Sequence, residues 1–484
     1  MTRLRPSDSR AKSRSLAATV RGHVTEDPSH LTPFAHDASH LSGQPLAAVA
    51  PADSDDVVTL VRWARRTRTP LVARGGGTSL DGESVPPDGS VVVDFSGWSQ
   101  FLEVDPEGAW ARVGPGIVNR ELARALRPYG RFFPPNPGSW TASTIGGNVA
   151  TNASGMRSFR YGSTRGWVHE VEAVLGTGAR VRLGSRVAKR SVGPDLLQMF
   201  IGSEGTLGIA TEVTVRLAPL PGVRHGVVVP LPDGTPLAPL AQRLAHFPRI
   251  DLAAIEYLDQ PSATVLAERH PGKLPTGTAL LLLEVEAADA DDAERKLERL
   301  TEALGPVGGG EEATVFRDAD ELWTLRGESG DALLQRIGYH VREDVAVPVG
   351  EVDRLIAELR AIARSEQVPV FLYGHLGEGS LHPNYGVDAT TPKAERIRAA
   401  VLRAARVLGG TISAEHGIGV LKRPFLADEL GEAAIELLRA VKRACDPDGI
   451  LNPGKLYPPS PRPARARSPS RSPSAPAGGG TRTA

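Results

Sequence analysis

Arg-Gly-Gly-Gly-Thr-Ser-Leu-Asp-Gly-Glu-Ser, residues 74–84, follows an apolar stretch that predicts a β-strand at 70–74. A strand that runs into glycines and hydroxyl residues can turn its backbone N–H groups towards a phosphate. Two known phosphate loops nearly match. A P-loop requires lysine where Glu83 stands, and the dinucleotide fingerprint requires glycine where Leu80 stands. The stretch therefore indicates either a phosphate-binding turn of another type or a plain glycine turn.

Two further stretches of small and amide residues follow it. The second stretch comprises residues 135–139, Pro-Asn-Pro-Gly-Ser, and residues 144–155, Thr-Ile-Gly-Gly-Asn-Val-Ala-Thr-Asn-Ala-Ser-Gly. The third stretch lies further along the chain. Residues 202–209 read Gly-Ser-Glu-Gly-Thr-Leu-Gly-Ile. Side chains this small let the backbone approach a flat polar ligand closely and offer it uncharged hydrogen bonds. Three such stretches are hard to explain by turns alone, so they predict a binding site.

Length, charge and cysteine content exclude several classes of protein. A chain of 484 residues exceeds one ordinary core, so we expect two domains or a large insert. Lys plus Arg equals Asp plus Glu at 56 each, which argues against a nucleic-acid-binding protein. No run of about 18 apolar residues predicts a transmembrane segment. The single cysteine, Cys445, excludes a cysteine-ligated iron–sulfur cluster within the chain.

The second half of the chain has a different pattern. An apolar strand at 280–285 precedes a charged helix at 289–304, and this alternation predicts an α+β second domain over residues 222–410. The first 35 residues form a basic segment. Residues 459–484 contain five arginines and no acidic residue among Ser, Pro and Gly, which predicts disorder. We expect a cytoplasmic protein, peripheral at a membrane if its basic ends touch an anionic surface.

Histidines concentrate in this second half. Residues 374–384 read Gly-His-Leu-Gly-Glu-Gly-Ser-Leu-His-Pro-Asn, and residues 413–419 read Ser-Ala-Glu-His-Gly-Ile-Gly. On a straight strand His375 and His382 would point to opposite faces, but the intervening glycines allow a turn that brings them together. Two histidines and Glu415 suit Zn²⁺ or a similar ion with an open position. From spacing alone, structural histidines remain the commoner alternative.

Taken together and in this order, the motifs resemble known flavoproteins. The three glycine-rich stretches resemble the PCMH-type FAD-binding domain of the vanillyl-alcohol-oxidase superfamily. Residues 375–384, 415–419 and 446–455 resemble the C-terminal domain of FAD-linked D-2-hydroxy-acid dehydrogenases, which include D-lactate dehydrogenase, the glycolate oxidase flavoprotein subunit and D-2-hydroxyglutarate dehydrogenase. The resemblance implies an α+β fold: a two-subdomain FAD domain (36–221), a substrate or cap domain (222–410), and a segment (411–458) that returns to complete the FAD and active sites.

The resemblance also implies which residues bind FAD. The pyrophosphate would lie on Arg74, Gly75, Gly76, Gly77, Thr78 and Ser79; the flavin and ribityl chain would contact Pro137, Gly138, Ser139, Thr144, Gly147, Asn148, Asn152 and Gly155; and the remaining contacts would come from Glu204, Gly208, Ile209 and Asn452. Many relatives tether the flavin to a histidine of the pyrophosphate loop. No histidine lies between Arg74 and Trp110 here, so we expect noncovalent FAD.

For the chemistry, the resemblance implies His375, His382 and Glu415 as ligands of a divalent metal, Zn or Mn. The implied catalytic set is His416 as general base, Arg326 and Arg342 at the substrate carboxylate, and Asn384. Arginine suits a carboxylate because its planar donors bind both oxygens. The family commonly has Asp where Glu378 stands and Asn where Ser380 stands, so the pocket shape and the substrate stay open.

The expected reaction is FAD-dependent oxidation of a D-2-hydroxy acid, of the lactate, glycolate or 2-hydroxyglutarate class, to the 2-oxo acid. Hydride would pass to flavin N5 with metal-assisted deprotonation of the hydroxyl. The electron acceptor stays open among a quinone, a cytochrome, an electron-transfer flavoprotein and a separate iron–sulfur subunit. The alternatives are an alditol or lactone oxidase, a non-redox transferase like the ether-lipid synthase, and a flavoprotein subunit of a larger dehydrogenase.

Overall fold

A computed structural model describes residue 12 and residues 14–187, 189–305 and 313–458. The expectation for the tail at 459–484 lies outside the described residues, as does most of the expected basic segment before residue 14. Within the described ranges, no helix is long and apolar enough to cross a membrane. The fold combines helices with four sheets, as the α+β prediction requires.

The first sheet carries the strand that runs into residues 74–84. Its strands are β1 (His23–Thr25), β2 (Ala47–Ala50), β3 (Leu71–Arg74) and β4 (Val91–Asp94), in the order β1-β2-β4-β3. The helices of this region are α1 (Pro28–Leu31) and α2 (Ser54–Thr67). The central strand β4 is paired in parallel on both sides, and its β-branched valines are fully buried. The Asp53 side chain caps α2, which buries Leu60 and Val61 against the sheet.

The second sheet is antiparallel. Together with the first sheet it forms the part of the chain that is predicted to bind FAD, which we call the FAD half. Its strands are β5 (Phe101–Asp105), β6 (Trp110–Val113), β8 (Val168–Leu175), β9 (Arg180–Gly184) and β10 (Gly208–Arg216), in the order β5-β6-β10-β8-β9. Strand β7 (Arg131–Phe132) pairs with β11 (Ala218–Pro219). The helices are α3 (Asn119–Leu126), α4 (Ile145–Thr151), α5 (Ser158–Tyr161) and α6 (Leu196–Phe200). The two sheets are the two subdomains that the sequence predicts.

The cap half is built on an eight-stranded sheet with helices on both faces. The strands are β12 (Val223–Leu231), β13 (Leu252–Leu258), β14 (Ala279–Ala287), β15 (Thr314–Phe316), β16 (His340–Arg342), β17 (Val345–Ala346), β18 (Val370–Gly374) and β19 (Ser380–Asp388). Their order is β15-β12-β14-β13-β18-β19-β16, and β17 pairs with β19. The helices are α7 (Leu237–His246), α8 (Gln260–Arg269), α9 (Ala290–Leu304), α10 (Ala319–Gly327), α11 (Ser329–Ile337), α12 (Val352–Glu366) and α13 (Pro392–Val407).

Alternation along the strands explains the two helix layers. Val227 and Val229 of β12 join the cluster formed by α7, α9, α12 and α13, whereas Val228 joins the cluster formed by α8, α10 and α11. The strand at 280–285 and the helix at 289–304 that the sequence predicts correspond to β14 and α9. Single 3₁₀ turns complete the secondary structure at Thr32–Phe34, Arg127–Tyr129, Thr164–Trp167, Val349–Glu351, Leu376–Glu378 and Arg423–Phe425.

The C-terminal segment returns to the first sheet. After α14 (Leu426–Leu430) and α15 (Glu432–Cys445), the chain runs beside β3. The Leu71 N–H donates to the Ile450 carbonyl, and the Asn452 N–H donates to the Leu71 carbonyl, each at 2.8 Å. These bonds pair the otherwise free edge of β3. The predicted return of the chain to the FAD half is therefore present.

The described part of the N-terminal segment also packs on the first sheet. Leu16 is fully buried in the same cluster as Trp63, whose Nε1 donates to the Ser15 hydroxyl at 3.1 Å. The Asp56 carboxylate accepts the N–H groups of Arg21 and Gly22, each at 2.8 Å. Residues 15–22 are thus bound to α2 by both apolar and polar contacts.

We predict that Leu16→Ala destabilises the FAD half by about 2–5 kcal/mol, because it leaves a cavity in a closed cluster. Thermal unfolding of the FAD-bound protein measures this effect as a lowered midpoint. Leu102→Ala is the matched control, since Leu102 is 48% exposed. An unchanged midpoint for Leu16→Ala would show that the burial of Leu16 contributes nothing to the stability of the fold.

Candidate active site

One cavity of about 860 Å³ lies where the FAD half, the cap sheet and the C-terminal segment meet. Its walls include the three glycine-rich stretches and the histidine motifs. Of the predicted FAD contacts, those that line it are Arg74, Gly75, Gly76, Gly77, Thr78, Ser79, Pro137, Gly138, Ser139, Thr144, Gly147, Asn148, Glu204, Gly208 and Asn452. Stretches separated by hundreds of residues therefore form one site, of a size that suits a cofactor.

Three predicted FAD contacts lie outside the cavity lining. Ile209 is 1% exposed and packs in the core of the first sheet. Asn152 ends α4 with a positive φ of 55°, and its side-chain oxygen accepts the Arg165 N–H. A Cβ on Gly155 would clash with the Asn136 carbonyl, so this glycine lets two backbone segments approach. These three residues therefore support the segments that form the cavity wall and do not line it themselves.

Several lining residues use their side chains to hold other segments. The Arg74 guanidinium donates to the carbonyls of His36 and Pro33, each at 2.9 Å. The Glu204 carboxylate accepts the Ile418 N–H at 2.7 Å and the Gly419 N–H at 3.0 Å, which ties the C-terminal segment to the FAD half. The Asn148 amide is paired with Asn119. Arg74 and Glu204 therefore contribute mainly backbone atoms to the cavity wall.

The first glycine stretch packs directly on the second. A Cβ on Gly75 would clash with Thr144 Oγ1, and a Cβ on Gly76 would clash with the Ala142 carbonyl. Gly77 has a φ of 65°, a left-handed conformation that disfavours side chains. A Cβ on Gly138, by contrast, would meet no atom of the described residues within 4 Å. The glycines thus permit close packing on one side and leave open space on the other.

The cavity fits FAD by its polar lining. Glu83 Oε1 and Asn452 Oδ1 are buried in its wall without a hydrogen-bond partner among the described residues. Buried polar atoms of this kind require a partner, and a bound polar cofactor would supply one. Burial, reinforced by the charges of Glu204 and Asp81, raises the pKa of Glu83 well above its usual value. This shift favours the protonated, uncharged form of Glu83 in the cavity wall.

The histidine motifs form a compact cluster at the cap side of the cavity. His375 Nε2 lies 3.3 Å from His382 Nε2 and 3.2 Å from Glu415 Oε1, and His382 Nε2 lies 3.4 Å from the same oxygen. Two nitrogens and a carboxylate oxygen that converge on one point form a donor set for Zn²⁺ or Mn²⁺. The residues present thus fit a divalent ion.

The loop between the two histidines makes this convergence geometrically feasible. His375 follows β18, the 3₁₀ turn Leu376–Glu378 comes next, and Gly379 has a φ of 75° before β19 begins. The turn folds β19 back on β18, so that His382 lies opposite Tyr373 in the register. The predicted glycine-dependent turn is therefore present, and it replaces the straight strand on which the two imidazoles would diverge.

A buried carboxylate and a buried arginine support His375. The fully buried Glu256 carboxylate accepts a short hydrogen bond from His375 Nδ1, and it also accepts Arg326 Nε at 2.9 Å and Nη2 at 2.7 Å. Burial favours the neutral imidazole, but Glu256 and Glu415 outweigh it and raise the pKa of His375 well above its usual value. This pairing fixes the ring and leaves Nε2 to face the cavity.

The imidazole of His416 lies over that of His382. Its ring stacks on His382 at 5.1 Å between centroids and 5° between planes, and its Nε2 lies 3.9 Å from Glu415 Oε1. Burial lowers the pKa of His416 to about 3, so the imidazole is neutral. It lines the cavity beside the cluster, within reach of a group bound there.

The remaining predicted site residues differ in what they can offer. Arg342 lines the cavity and, within the described ranges, forms no ion pair. Arg326 also lines the cavity and stacks on Tyr373 at 4.6 Å, but two of its nitrogens are committed to Glu256. Asn384 is fully buried: it donates to the His382 carbonyl at 2.7 Å and pairs with His340 Nε2 at 3.0 Å. Asn384 therefore positions two histidines from behind the cavity wall.

Sequence reasoning missed two buried carboxylates, Glu256 and Asp344. Glu256 is the one charged residue in the apolar strand β13, a signal that could have marked it. Asp344 is fully buried and bonds the turn that carries Glu415 and His416. Lys422 is also fully buried, with its Nζ 3.2 Å from Asp81 and 3.9 Å from Asp344.

Two family models together match most of this chain. Residues 45–184 match the FAD binding domain family, and residues 220–456 match the family of FAD linked oxidases, C-terminal domain. Glycolate oxidase subunit GlcD of Bacillus subtilis is 34% identical over 88% of this chain and 92% of its own length. D-2-hydroxyglutarate dehydrogenase of Stutzerimonas stutzeri is 34% identical over 90% of this chain and 96% of its own.

Among solved structures, p-cresol methylhydroxylase with bound substrate superposes with a TM-score of 0.76 over 94% of this chain and 98% of its own, at 16% sequence identity. A likeness at this identity shows the fold, and it confirms the PCMH-type architecture that the glycine stretches predict. Together with the two relatives, it makes the family assignment secure. The chain belongs to the FAD-linked oxidoreductases of the hydroxy-acid dehydrogenase family.

Proposed function

We propose that this protein oxidises a D-2-hydroxy acid, of the lactate, glycolate or 2-hydroxyglutarate class, to the corresponding 2-oxo acid. The observation that carries the proposal is the convergence of His375, His382 and Glu415, beside His416, in the wall of the cavity that the glycine stretches line. A hydroxy acid offers this site a hydroxyl for the cluster and a carboxylate for an arginine. When bound, FAD supplies the hydride acceptor and a divalent ion lowers the pKa of the hydroxyl.

Arg342 is the residue we assign to the substrate carboxylate. Its guanidinium lines the cavity without an ion-pair partner in the described part of the chain, so its fork of donors is available. Arg326 contributes the donors that Glu256 does not use. Fixing the carboxylate at one point and the hydroxyl at another leaves the Cα hydrogen with one orientation, which determines stereochemistry.

His416 takes the hydroxyl proton. Its Nε2 lies 3.9 Å from Glu415 Oε1, so the imidazole lies beside the point where the hydroxyl would bind. His375 and His382 are buried, and a low-dielectric surrounding strengthens each of these interactions. A separate acceptor, such as a quinone, a cytochrome, an electron-transfer flavoprotein or an iron–sulfur subunit, then removes the electrons, since one cysteine cannot hold a cluster.

The reaction class is tested by anaerobic mixing of the FAD-bound protein with a panel of D- and L-2-hydroxy acids. We expect a D-2-hydroxy acid to bleach the flavin absorbance and the L-enantiomer to react at least about 100-fold more slowly, because a two-point fixed substrate presents one face. Polyols and lactones serve as controls. Flavin bleaching by polyols or lactones, and by no hydroxy acid, would show that the protein is an alditol or lactone oxidase instead.

We predict that His416→Ala retains FAD but slows flavin reduction about 10²–10⁴-fold, the usual contribution of a general base. Stopped-flow reduction with the best substrate measures the rate, and the flavin spectrum reports FAD content. His246→Ala is the matched control, because His246 is exposed on α7 far from the cavity lining. A near-normal rate of flavin reduction in His416→Ala would show that His416 is not the general base.

Metal removal gives an independent test. We expect chelation to leave the flavin spectrum intact and to lower flavin reduction by about two orders of magnitude or more, because hydroxyl activation is lost. Added Zn²⁺ or Mn²⁺ should restore the rate in the wild type but not in His382→Ala. A metal-free protein that stays fully active would contradict metal assistance.

A further inference from the structure

We infer that Asp344 is a positioning residue that fixes the divalent-metal cluster from behind, joining the turn that carries Glu415 and His416 to the ligand His382. This inference rests on the proposed metal site and concerns what holds its ligands in place. Asp344 lies between β16 and β17 in the cap, whereas the turn belongs to the C-terminal segment. A single carboxylate therefore joins two parts of the chain 70 residues apart.

One oxygen of Asp344 organises the turn. Its Oδ2 accepts the N–H groups of Ala414, Glu415 and His416 at 2.9, 2.8 and 2.9 Å, together with the Ser413 hydroxyl at 3.3 Å. Three successive backbone donors on one oxygen fix the backbone of the turn, and with it the directions of the Glu415 and His416 side chains. The three N–H dipoles and the ammonium group of Lys422 stabilise the negative charge of the Asp344 carboxylate.

The other oxygen faces the ligand. Asp344 Oδ1 lies 3.5 Å from His382 Nδ1, and both atoms are buried with no hydrogen-bond partner among the described residues. His382 Nε2 meanwhile faces His375 and Glu415. A carboxylate behind the second nitrogen of a ligating histidine orients the ring and raises its basicity. The same arrangement recurs at His375, where Glu256 stands behind Nδ1.

A buried cation compensates each of the two supporting carboxylates. Arg326 neutralises Glu256, and Lys422 stands between Asp344 and Asp81. Lys422 Nζ also donates to the Ser413 hydroxyl at 3.3 Å, so the compensating charge reaches the same turn. Charges this deeply buried persist only when they are paired. The cluster is thus supported by two histidine–carboxylate–cation chains, one from each side.

The test measures metal affinity, which a residue that served the fold alone would not change. We expect Asp344→Asn to retain FAD and to bind Mn²⁺ about 10–100-fold more weakly, by titration monitored with electron paramagnetic resonance. Asn keeps the shape of the side chain but presents one acceptor in place of two and no charge. Asp259→Asn is the matched control, since Asp259 is an equally buried carboxylate that caps α8 in the same half of the chain.

The outcomes separate the possible failures. Mn²⁺ affinity of Asp344→Asn within twofold of the wild type would overturn the inference, as would an equal loss in Asp259→Asn. Should Asp344→Asn fail to yield folded flavoprotein, Asp344→Glu decides: it keeps the charge but displaces the carboxylate by one methylene from the turn and from His382, and an Mn²⁺ affinity within twofold of the wild type overturns the inference. A wild-type protein that binds no Mn²⁺ or Zn²⁺ would instead overturn the metal part of the proposed function, and this inference with it.

Discussion

The neutralisation of buried charge is the constraint on which this structure depends. Glu256 and Asp344 have side chains that are inaccessible to solvent, and each persists as a carboxylate because a histidine and a cation of the buried cluster lie beside it. Removing one member would leave its partner charged in a low-dielectric interior, so the members are interdependent. Asp344 joins the cap to the C-terminal segment, and Lys422 joins that segment to Asp81 of the FAD half.

On the opposite wall of the cavity, the glycine stretches allow close approach of the backbone. There the backbone itself forms the surface, because residues such as Gly75 and Gly76 pack so closely on the second stretch that no side chain fits. The cap side carries the histidine–carboxylate cluster, whereas the glycine stretches on the FAD side allow close approach. The division explains how one cavity can hold a large flat cofactor and still place titratable groups at one end of it.

The sequence predicted the general plan well and the detailed interactions less well. The order of the glycine stretches, the alternation in the cap and the glycine-dependent turn between His375 and His382 all depend on local residue type and spacing, and the structure contains them. Arg74 and Glu204 were predicted as FAD contacts, but their side chains hold other segments, because a motif does not reveal which neighbour satisfies a side chain.

By itself, the sequence determined that this chain has a flavin-type domain and a cap, since these follow from motifs in fixed order. The grouping of His375, His382, Glu415 and His416 was implied only by the family resemblance, because the spacing alone also allowed structural histidines. Only the tertiary structure decided which carboxylates support that cluster. Glu256 lies 119 residues from His375 in the chain, and no local pattern links the two. Such pairings arise when strands and segments distant in sequence are buried together, where every charge must find a partner.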